Sequence, residues 1–243
     1  MMTTSINKQF KIEVIDINDH FIIINKPPNI NFHDEDDLGQ GLFNQVKSYC
    51  QVTELYPVHR LDKMTSGLIL FAKTKHAAQV FGELFQQHAI EKYYLAISDK
   101  KPTKKQGLIK GDMAKSRRGM WKLLRTQNNP AISQFFSYSL NHGKRLYLIK
   151  PHSGKTHQIR VALSSIGAPI LGDPSYYPSN IDTDVNDEIK RGYLHAYALR
   201  FQFDNREYFY QLAPSCGDEF LSEICSAKLA ELGQPWKLPW PKV

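Results

Sequence analysis

The sequence contains few cysteines and no pattern of metal ligands. Its three cysteines, Cys50, Cys216 and Cys225, have no Cys-x-x-Cys spacing, and its nine histidines contain no His-Glu-x-x-His pattern. Without these patterns, the cysteines are better interpreted as small buried thiols than as parts of a disulfide framework or a zinc site. We therefore expect no bound metal.

Long apolar runs are also missing. No stretch of about 18 apolar residues occurs, which argues against a transmembrane helix. The first eight residues lack the apolar centre of a secretory signal. We therefore expect a cytoplasmic protein with no membrane contact. The lack of a coiled-coil pattern and of an evident apolar patch further suggests a monomer.

Acidic residues are scarce in one region of the chain. Between Lys100 and Arg125 there are ten basic residues and a single acidic one, Asp112, in a chain whose net charge is +7. A basic patch on a nearly neutral body indicates a polyanionic ligand such as a nucleic acid. A solvated surface loop has the same composition, so charge alone leaves both interpretations open.

Periodicity predicts more strands than helices. Strands are predicted at 10–15, 20–26, 67–73, 93–98, 131–140 and 145–150, with a hairpin over 192–212. Helices are predicted over 74–89, 153–167 and 217–232, and residues 100–130 are expected to be irregular. Because strands and helices do not alternate regularly, the pattern favours an α+β fold over a doubly wound parallel sheet.

The first segment that suggests chemistry is His59-Arg60-Leu61-Asp62-Lys63, followed by Thr65-Ser66-Gly67. Neighbouring cations favour the ionised form of a carboxylate, so Asp62 is expected to be charged. An ionised aspartate can act as a nucleophile or as a base. Judged by these residues alone, a salt-bridged turn before a strand is the commoner case.

The second segment is Ser153-Gly154-Lys155-Thr156-His157-Gln158-Ile159-Arg160. It places glycine, hydroxyls and cations at the start of a predicted helix, where anions bind well, although it lacks the spacing of a P-loop. A cation in the first turn opposes the helix dipole. Arg160 is therefore expected to have a specific acidic partner, and an ordinary capped helix start is the alternative.

Together these segments resemble the RluA family of pseudouridine synthases. The matching motifs occur in family order: Asn25-Lys26-Pro27-Pro28, the Asp62 segment, Lys92-Tyr93-Tyr94-Leu95-Ala96, the Arg160 segment with Gly167-Ala168-Pro169-Ile170-Leu171-Gly172-Asp173, and Leu194-His195-Ala196. The resemblance implies an α+β fold with a central, mixed but mostly antiparallel sheet flanked by helices. It also implies that a uridine in tRNA or rRNA is isomerised without any cofactor.

The resemblance also implies a domain organisation. Residues 1–243 would form a single catalytic domain, with a core over 12–214 and a C-terminal helix and tail over 215–243. Asn25 comes too early for the S4-type RNA-binding domain that precedes this motif in many relatives. We therefore expect a member of the subset without an S4 domain.

The resemblance assigns roles to single residues. Asp62 would be the catalytic carboxylate, Arg160 its partner, and Tyr94 the side chain that stacks on the target base. Asp62 would either add to the sugar or base as a nucleophile or remove a ribose proton, and the sequence does not choose between the two. Leu148 or Ile149 is expected to supply an apolar wall for the uracil.

RNA contacts are expected from a larger set of residues. Arg60 would fill the space that the flipped base leaves, because its planar guanidinium stacks on bases. His157 and Gln158 are interpreted as structural supports. The full set of expected RNA-binding residues is Arg60, His59, Thr65, Lys115, Arg117, Arg118, Lys122 and Lys155.

Two other functions fit parts of the sequence. A non-catalytic RNA-binding or ribosome assembly factor with this fold would use the basic stretch and not the carboxylate. A glycoside hydrolase would usually need two carboxylates about 5–10 Å apart. No acidic partner for Asp62 is recognisable in its motif, which makes the hydrolase the weaker alternative.

Overall fold

The computed structural model describes residues 11–34, 39, 41–178 and 191–243. The strands in these ranges are β1 Glu13–Ile17, β2 Phe21–Lys26, β3 Tyr56–Pro57, β4 Ser66–Ala72, β5 Glu91–Ser98, β6 Gln106–Gly111, β7 Met113–Lys115, β8 Trp121–Leu123, β9 Ala131–Ser139, β10 Arg145–Pro151, β11 Leu194–Phe203 and β12 Arg206–Gln211. The helices are α1 Leu42–Tyr49, α2 Lys75–Gln86, α3 Gln158–Ser165, α4 Asp218–Leu221 and α5 Glu223–Leu232.

One large sheet organises the fold. Its strand order is β1-β2-β4-β11-β5-β10-β9-β6, with β3 also paired to β4 and β12 to β11, while β7 and β8 form a separate ribbon. The pairing of β11 with β4 is parallel, and the other strand pairings of the described residues are antiparallel. The predicted α+β fold with a mixed, mostly antiparallel sheet is therefore confirmed.

The apolar strands of this sheet are buried by helices. Every residue of β2 and of β4 is buried, which explains their continuous apolar sequences. Helix α2 packs Phe81 against Phe21, with ring centroids 5.7 Å apart. The side chain of Thr74 accepts a hydrogen bond from the amide of Ala77 and caps α2, as its sequence predicts.

The parallel contact between β4 and β11 depends on one glycine. Gly67 pairs with Ala196 and has a φ of +103°, a conformation that side chains with a Cβ rarely adopt. A Cβ at this position would lie 2.3 Å from the carbonyl oxygen of Ala196. Gly67 therefore allows the strand that follows the Asp62 loop to approach β11 closely.

Several local predictions need correction. Helix α1 was not predicted, and the predicted strand at 10–15 begins at Glu13, with residue 10 outside the described residues. The single helix predicted over 217–232 is two helices, because Ser222 is extended and caps α5 through a hydrogen bond from the amide of Cys225. The segment 100–130 contains β6 and the ribbon of β7 and β8, so it is more regular than expected.

Candidate active site

A cavity of about 440 Å³ lies where the loop before β4, strand β5 and the start of α3 meet. The residues that line it come from the predicted motifs. They are Val58, His59, Arg60, Leu61, Asp62, Thr65, Phe85, Gln86, Lys92, Tyr94, Pro151, Ser153, Gly154, Lys155, His157, Gln158, Ile159, Arg160 and Leu194. The fold therefore brings Asp62, Tyr94 and Arg160 together, although they are far apart in sequence.

Asp62 and Arg160 form an ion pair at the surface of the cavity. Nη1 of Arg160 donates to Oδ2 of Asp62 over 3.1 Å, and the carboxylate is 23% exposed whereas the guanidinium side chain is 5% exposed. A charge-assisted hydrogen bond of this kind fixes the direction of the carboxylate. The acidic partner expected for Arg160 is thus present.

A second carboxylate holds Arg160 from the other side. Asp173 is buried and accepts from Nε over 2.7 Å and from Nη2 over 2.8 Å. Burial opposes the charge of Arg160, but the hydrogen bonds and charges of Asp173 and Asp62 outweigh it and raise the pKa of the guanidinium. This arrangement offsets the cost of a cation in the first turn of α3.

Tyr176 packs against the same guanidinium. Its ring centroid lies 5.0 Å from the Cζ atom of Arg160. Its hydroxyl accepts from the amide of Trp121 in β8 over 2.7 Å and lies 3.0 Å from Nδ1 of His157. Tyr176 therefore connects the ribbon of β7 and β8 with the ion pair, a link that the sequence did not reveal.

Lys26 fixes the loop that carries Asp62. The ammonium is completely buried and donates to the carbonyl oxygens of Pro27, Lys63 and Thr65. Burial lowers the pKa of Lys26 to about 7, although the charge of Asp62 acts in the opposite direction. The Asn-Lys-Pro motif thus supports the loop from the end of β2.

A buried hydrogen-bond network anchors the start of β4. The Oγ of Ser66 lies 2.8 Å from Nδ1 of His195 and accepts from Nη2 of Arg191 over 2.8 Å. Nε2 of His195 lies 2.9 Å from the carbonyl oxygen of Leu212. Burial is the main reason that the pKa of His195 is lowered to about 4.

Tyr94 faces the cavity from β5, beside Asp62. Burial, together with the charge of Asp62, raises the pKa of its phenol. The neutral phenol is therefore the stable form at neutral pH, and the ring offers an aromatic surface next to the carboxylate. The predicted apolar wall is different, however, because Leu148 and Ile149 are buried away from the cavity and Leu61, Ile159 and Leu194 line it instead.

The residues expected to bind RNA lie in three environments. Arg60 is exposed at the rim of the cavity, Thr65 is buried in its wall, and the ammonium of Lys155 is held by the carbonyl oxygen of Asn129. The exposed cations of the ribbon between β7 and β8 form a separate group, hereafter the ribbon cations. They are Lys115, Arg117, Arg118 and Lys122.

His59 has a structural contact in addition to its place in the cavity. Its Nε2 accepts from the amide of Leu70 over 2.9 Å, and its ring stacks on Phe85 with centroids 5.0 Å apart. Burial and the nearby charge of Lys92 lower the pKa of His59 to about 3. The ring is therefore neutral and carries its proton on Nδ1.

The start of α3 differs from its prediction. The helix begins at Gln158 and not at residue 153, because His157 adopts a left-handed conformation with a φ of 57°. The Gln158 side-chain amide accepts from the backbone N–H of Lys155 in the preceding loop and donates to the carbonyl oxygen of Ile132 in β9. These contacts are those of a structural support.

The described ranges contain neither the pattern of a metal-binding cluster nor that of a membrane-spanning helix. No group of three or more histidine, cysteine, aspartate or glutamate side chains there could hold a metal ion. Among the helices of those ranges, none has the length and apolar character needed to cross a membrane.

Two solved structures share this fold. The human RNA pseudouridylate synthase domain containing 1 superposes with a TM-score of 0.73 at 21% identity, covering all of both chains. The human RNA pseudouridylate synthase domain containing 4 gives a TM-score of 0.67 at 24% identity, over 90% of this chain and 92% of that chain. At this level of identity the likeness concerns the fold.

Sequence relatives identify the family. The model of the RNA pseudouridylate synthase family matches residues 20–165. An uncharacterized RNA pseudouridine synthase of Haemophilus influenzae is 46% identical over 207 residues, 85% of this chain and 89% of the relative. One of Zymomonas mobilis is 33% identical over 76% of this chain and 85% of the relative. The chain belongs to the RNA pseudouridylate synthase family.

This membership confirms the family and the activity that the motifs predicted. Among more distant relatives, ribosomal large subunit pseudouridine synthase C of Rickettsia typhi is 32% identical over 65% of this chain, which spans 54% of that protein. The relatives bear names of enzymes, so the comparisons favour an RNA pseudouridine synthase over the non-catalytic RNA-binding factor.

Proposed function

We propose that this protein isomerises a uridine of tRNA or rRNA to pseudouridine in an intramolecular group transfer, with Asp62 as the catalytic carboxylate and no cofactor. One observation carries the assignment: Asp62 is held at 3.1 Å by Arg160 at the edge of a cavity that Tyr94 also lines. A carboxylate that is oriented, paired and still partly exposed can react with a substrate in the cavity.

The reaction requires three changes at the uridine. The bond between ribose C1′ and N1 of the base breaks, the base rotates within the cavity, and C1′ then bonds to C5. The C5 proton is released to solvent and N1 takes up a proton from solvent, so the overall change is an isomerisation. Asp62 acts first, either by adding to the sugar or base or by removing a ribose proton. Arg160 stabilises the ionised carboxylate that both routes need.

Tyr94 and Arg60 are assigned to the base. The raised pKa of Tyr94 disfavours a free phenolate, so we assign the ring to stacking on the uracil while it rotates. The uridine must leave its stack before it can enter the cavity, which costs about a few kcal/mol. Arg60 is exposed at the rim, where its guanidinium can replace the missing base.

The remaining assignments concern the whole chain. Residues 1–243 are proposed to act as a single catalytic domain, as a cytoplasmic monomer. The ribbon cations are proposed to bind phosphates, which position RNA without reading its sequence.

Relatives named for the ribosomal large subunit support rRNA as the substrate class. Mapping pseudouridines in total RNA from cells with and without the gene tests this choice.

The catalytic assignment is tested by tritium release from RNA that carries C5-tritiated uridine. We expect the Asp62→Asn protein to release essentially no tritium, because its amide can neither add to the substrate nor accept a proton. Asp19→Asn is the matched control, since Asp19 is exposed and lies outside the cavity. Release by Asp62→Asn at the wild-type rate would refute the assignment.

A further inference from the structure

Lys92 is a buried cation without an acceptor. Its side chain lines the same cavity as Asp62, and the residue is only 8% exposed. Among the described residues, its ammonium contacts the ring of Phe85, whose centroid lies 5.5 Å from Nζ, and forms no hydrogen bond or ion pair. The ammonium therefore faces the cavity with its donors unused.

The other buried cations in the described ranges all bind oxygen or sulfur acceptors. Lys26 donates to three carbonyl oxygens, and Arg160 binds two carboxylates. Arg145 donates to Ser137, and Arg191 to acceptors that include Ser66 and Cys216. Lys92 is thus the exception among buried cations that are otherwise satisfied.

Strand alternation explains why no nearby acid neutralises Lys92. Successive residues of a strand point to opposite faces, so Lys92 shares a face with Tyr94 and not with Glu91. The Glu91 carboxylate binds Lys150 over 2.7 Å and the hydroxyl of Tyr93 over 2.8 Å on the opposite side. Glu91 and Lys92 are therefore neighbours in sequence but do not form an ion pair with each other.

An ammonium that is largely removed from water and has no acceptor is costly for the folded protein. Burial disfavours the charged form and lowers the pKa of Lys92. An apolar residue of similar length would avoid this cost. A ligand that brings negative charge into the cavity would reverse the penalty.

A second donor lies close to Lys92. The His59 ring is neutral, and its Nε2 is occupied by the amide of Leu70, so Nδ1 carries its single N–H. The charge of Lys92 is near enough to contribute to the lowered pKa of this ring. A positive lysine and a neutral N–H donor together suit an anionic oxygen ligand.

We propose that Lys92, with His59 beside it, forms a subsite for a phosphate attached to the ribose of the target uridine. The inference rests on the proposed function, because it takes the uridine to lie against Tyr94. Lys92 precedes Tyr94 by two residues on the same strand face, a spacing of roughly 6.6 Å along the strand. The ammonium is therefore within about one nucleotide of the base, and the phosphate is the anionic group that RNA provides there.

Two small ligands separate a phosphate contact from a contact with the nucleoside. The affinities of uridine and of uridine 3′,5′-bisphosphate are measured by NMR titration of the wild-type protein and of Lys92→Met. We expect Lys92→Met to weaken the bisphosphate at least about tenfold, because the variant cannot form the charge-assisted hydrogen bond. The affinity for uridine should stay unchanged.

The control is Lys47→Met, which removes an exposed lysine of α1 outside the cavity and outside the basic stretch, and should leave both affinities unchanged. Thermal unfolding should show that Lys92→Met is at least as stable as the wild-type protein, since it removes an unpaired buried charge. Equal losses for both ligands, no loss for either, or no binding of the bisphosphate by the wild-type protein would each overturn the phosphate subsite. These measurements need no isomerisation, so they fail or succeed separately from the tritium assay.

Discussion

Asp173 limits the movement of the arginine that holds Asp62. Its carboxylate binds two nitrogens of Arg160 and also accepts from the amides of Ser175 and Tyr176. Four donors thus fix a carboxylate that does not line the cavity itself. Asp173 is therefore a positioning residue: it acts on Asp62 through Arg160.

We expect Asp173→Asn to lower kcat about 100-fold with little change in KM, because a displacement of about 1 Å in a reacting group has an effect of this size. The asparagine keeps the shape of the side chain but cannot hold two guanidinium nitrogens as a carboxylate does. Steady-state tritium release measures both constants. A rise in KM at constant kcat would show instead that Asp173 serves RNA binding.

Residue-level prediction from sequence succeeded where a motif carried it. The pairing of Asp62 with Arg160 was expected and is present, whereas the uracil wall was placed on Leu148 or Ile149, which are both buried. Both faces of β10 are buried, so the periodicity of its sequence does not show which face lines a cavity. Alternation along β5 would have placed Lys92 on the face of Tyr94, and this signal was available in the sequence.

At the scale of elements, the ribbon of β7 and β8 is tied to the active site. The amide of Trp121 donates to the hydroxyl of Tyr176, which packs on Arg160. Arg118 lies at the exposed tip with a φ of 53°, so the backbone turns sharply there and presents two arginines together. The ribbon can therefore bind RNA at its tip while its other end, at Trp121, remains fixed beside the ion pair.

Replacing Arg117 and Arg118 by alanine should raise KM for RNA and change kcat little. The affinity for RNA should also depend less on salt. For single-stranded RNA, the slope of log Kd against log salt concentration should fall by about 0.7 for each phosphate contact that the double variant loses. Fluorescence anisotropy with labelled substrate RNA over a salt series measures the slope. The control is Lys228→Ala, at a lysine that is ion-paired to Glu231 in α5. An unchanged slope in the double variant would remove the ribbon from the RNA-binding surface.

The elements predicted best are those with strong local signals. Strand β2 and the cap of α2 were recognised from an apolar run and from Thr74. Helix α1 has eight residues and no side-chain cap at Gly41, so its sequence carries only the spacing of Leu42 and Val46. The break at Ser222 depends on its extended backbone, which local periodicity does not show.

At the scale of the whole molecule, the C-terminal tail packs into the body of the protein. Trp240 lies 4.8 Å from Phe136 and 5.7 Å from Tyr93, measured between ring centroids. The side chain of Gln134 binds the carbonyl oxygen of Pro241. These contacts support the proposal that residues 215–243 belong to the same folded unit as the catalytic core.

Trp240→Ala should lower the free energy of unfolding by about 2 kcal/mol, because a half-buried aromatic ring no longer packs against the core. Urea unfolding followed by circular dichroism measures the change. Leu221→Ala is the comparison, since Leu221 is 52% exposed and should change stability by less than about 0.5 kcal/mol. Equal effects of the two substitutions would mean that the tail contributes nothing to the core.

The protein should lose stability in weak acid. Burial lowers the pKa of His59 to about 3 and of His195 to about 4, so the folded protein keeps both rings neutral. The unfolded chain binds protons at these rings below about pH 6.5, so stability falls as the pH decreases from about 6.5 towards 4, by up to about 1.4 kcal/mol per pH unit for each ring.

Urea unfolding near pH 7 and near pH 5 tests whether the free energy of unfolding falls as the pH decreases. His195→Asn should reduce the difference between the two conditions by the part that this ring contributes, because the ring is then absent. A wild-type protein that is equally stable under both conditions would contradict the depressed pKa values.

The parallel contact between Gly67 and Ala196 also has a consequence for synthesis on the ribosome. The strand that anchors the Asp62 loop completes its pairing only with β11, and Arg160 is 98 residues away from Asp62 in the chain. Contacts of such sequence separation form slowly, and they cannot form before the later segment has left the exit tunnel. The nascent enzyme should therefore remain inactive until most of its chain has been translated, so a partly made copy cannot modify the RNA around it.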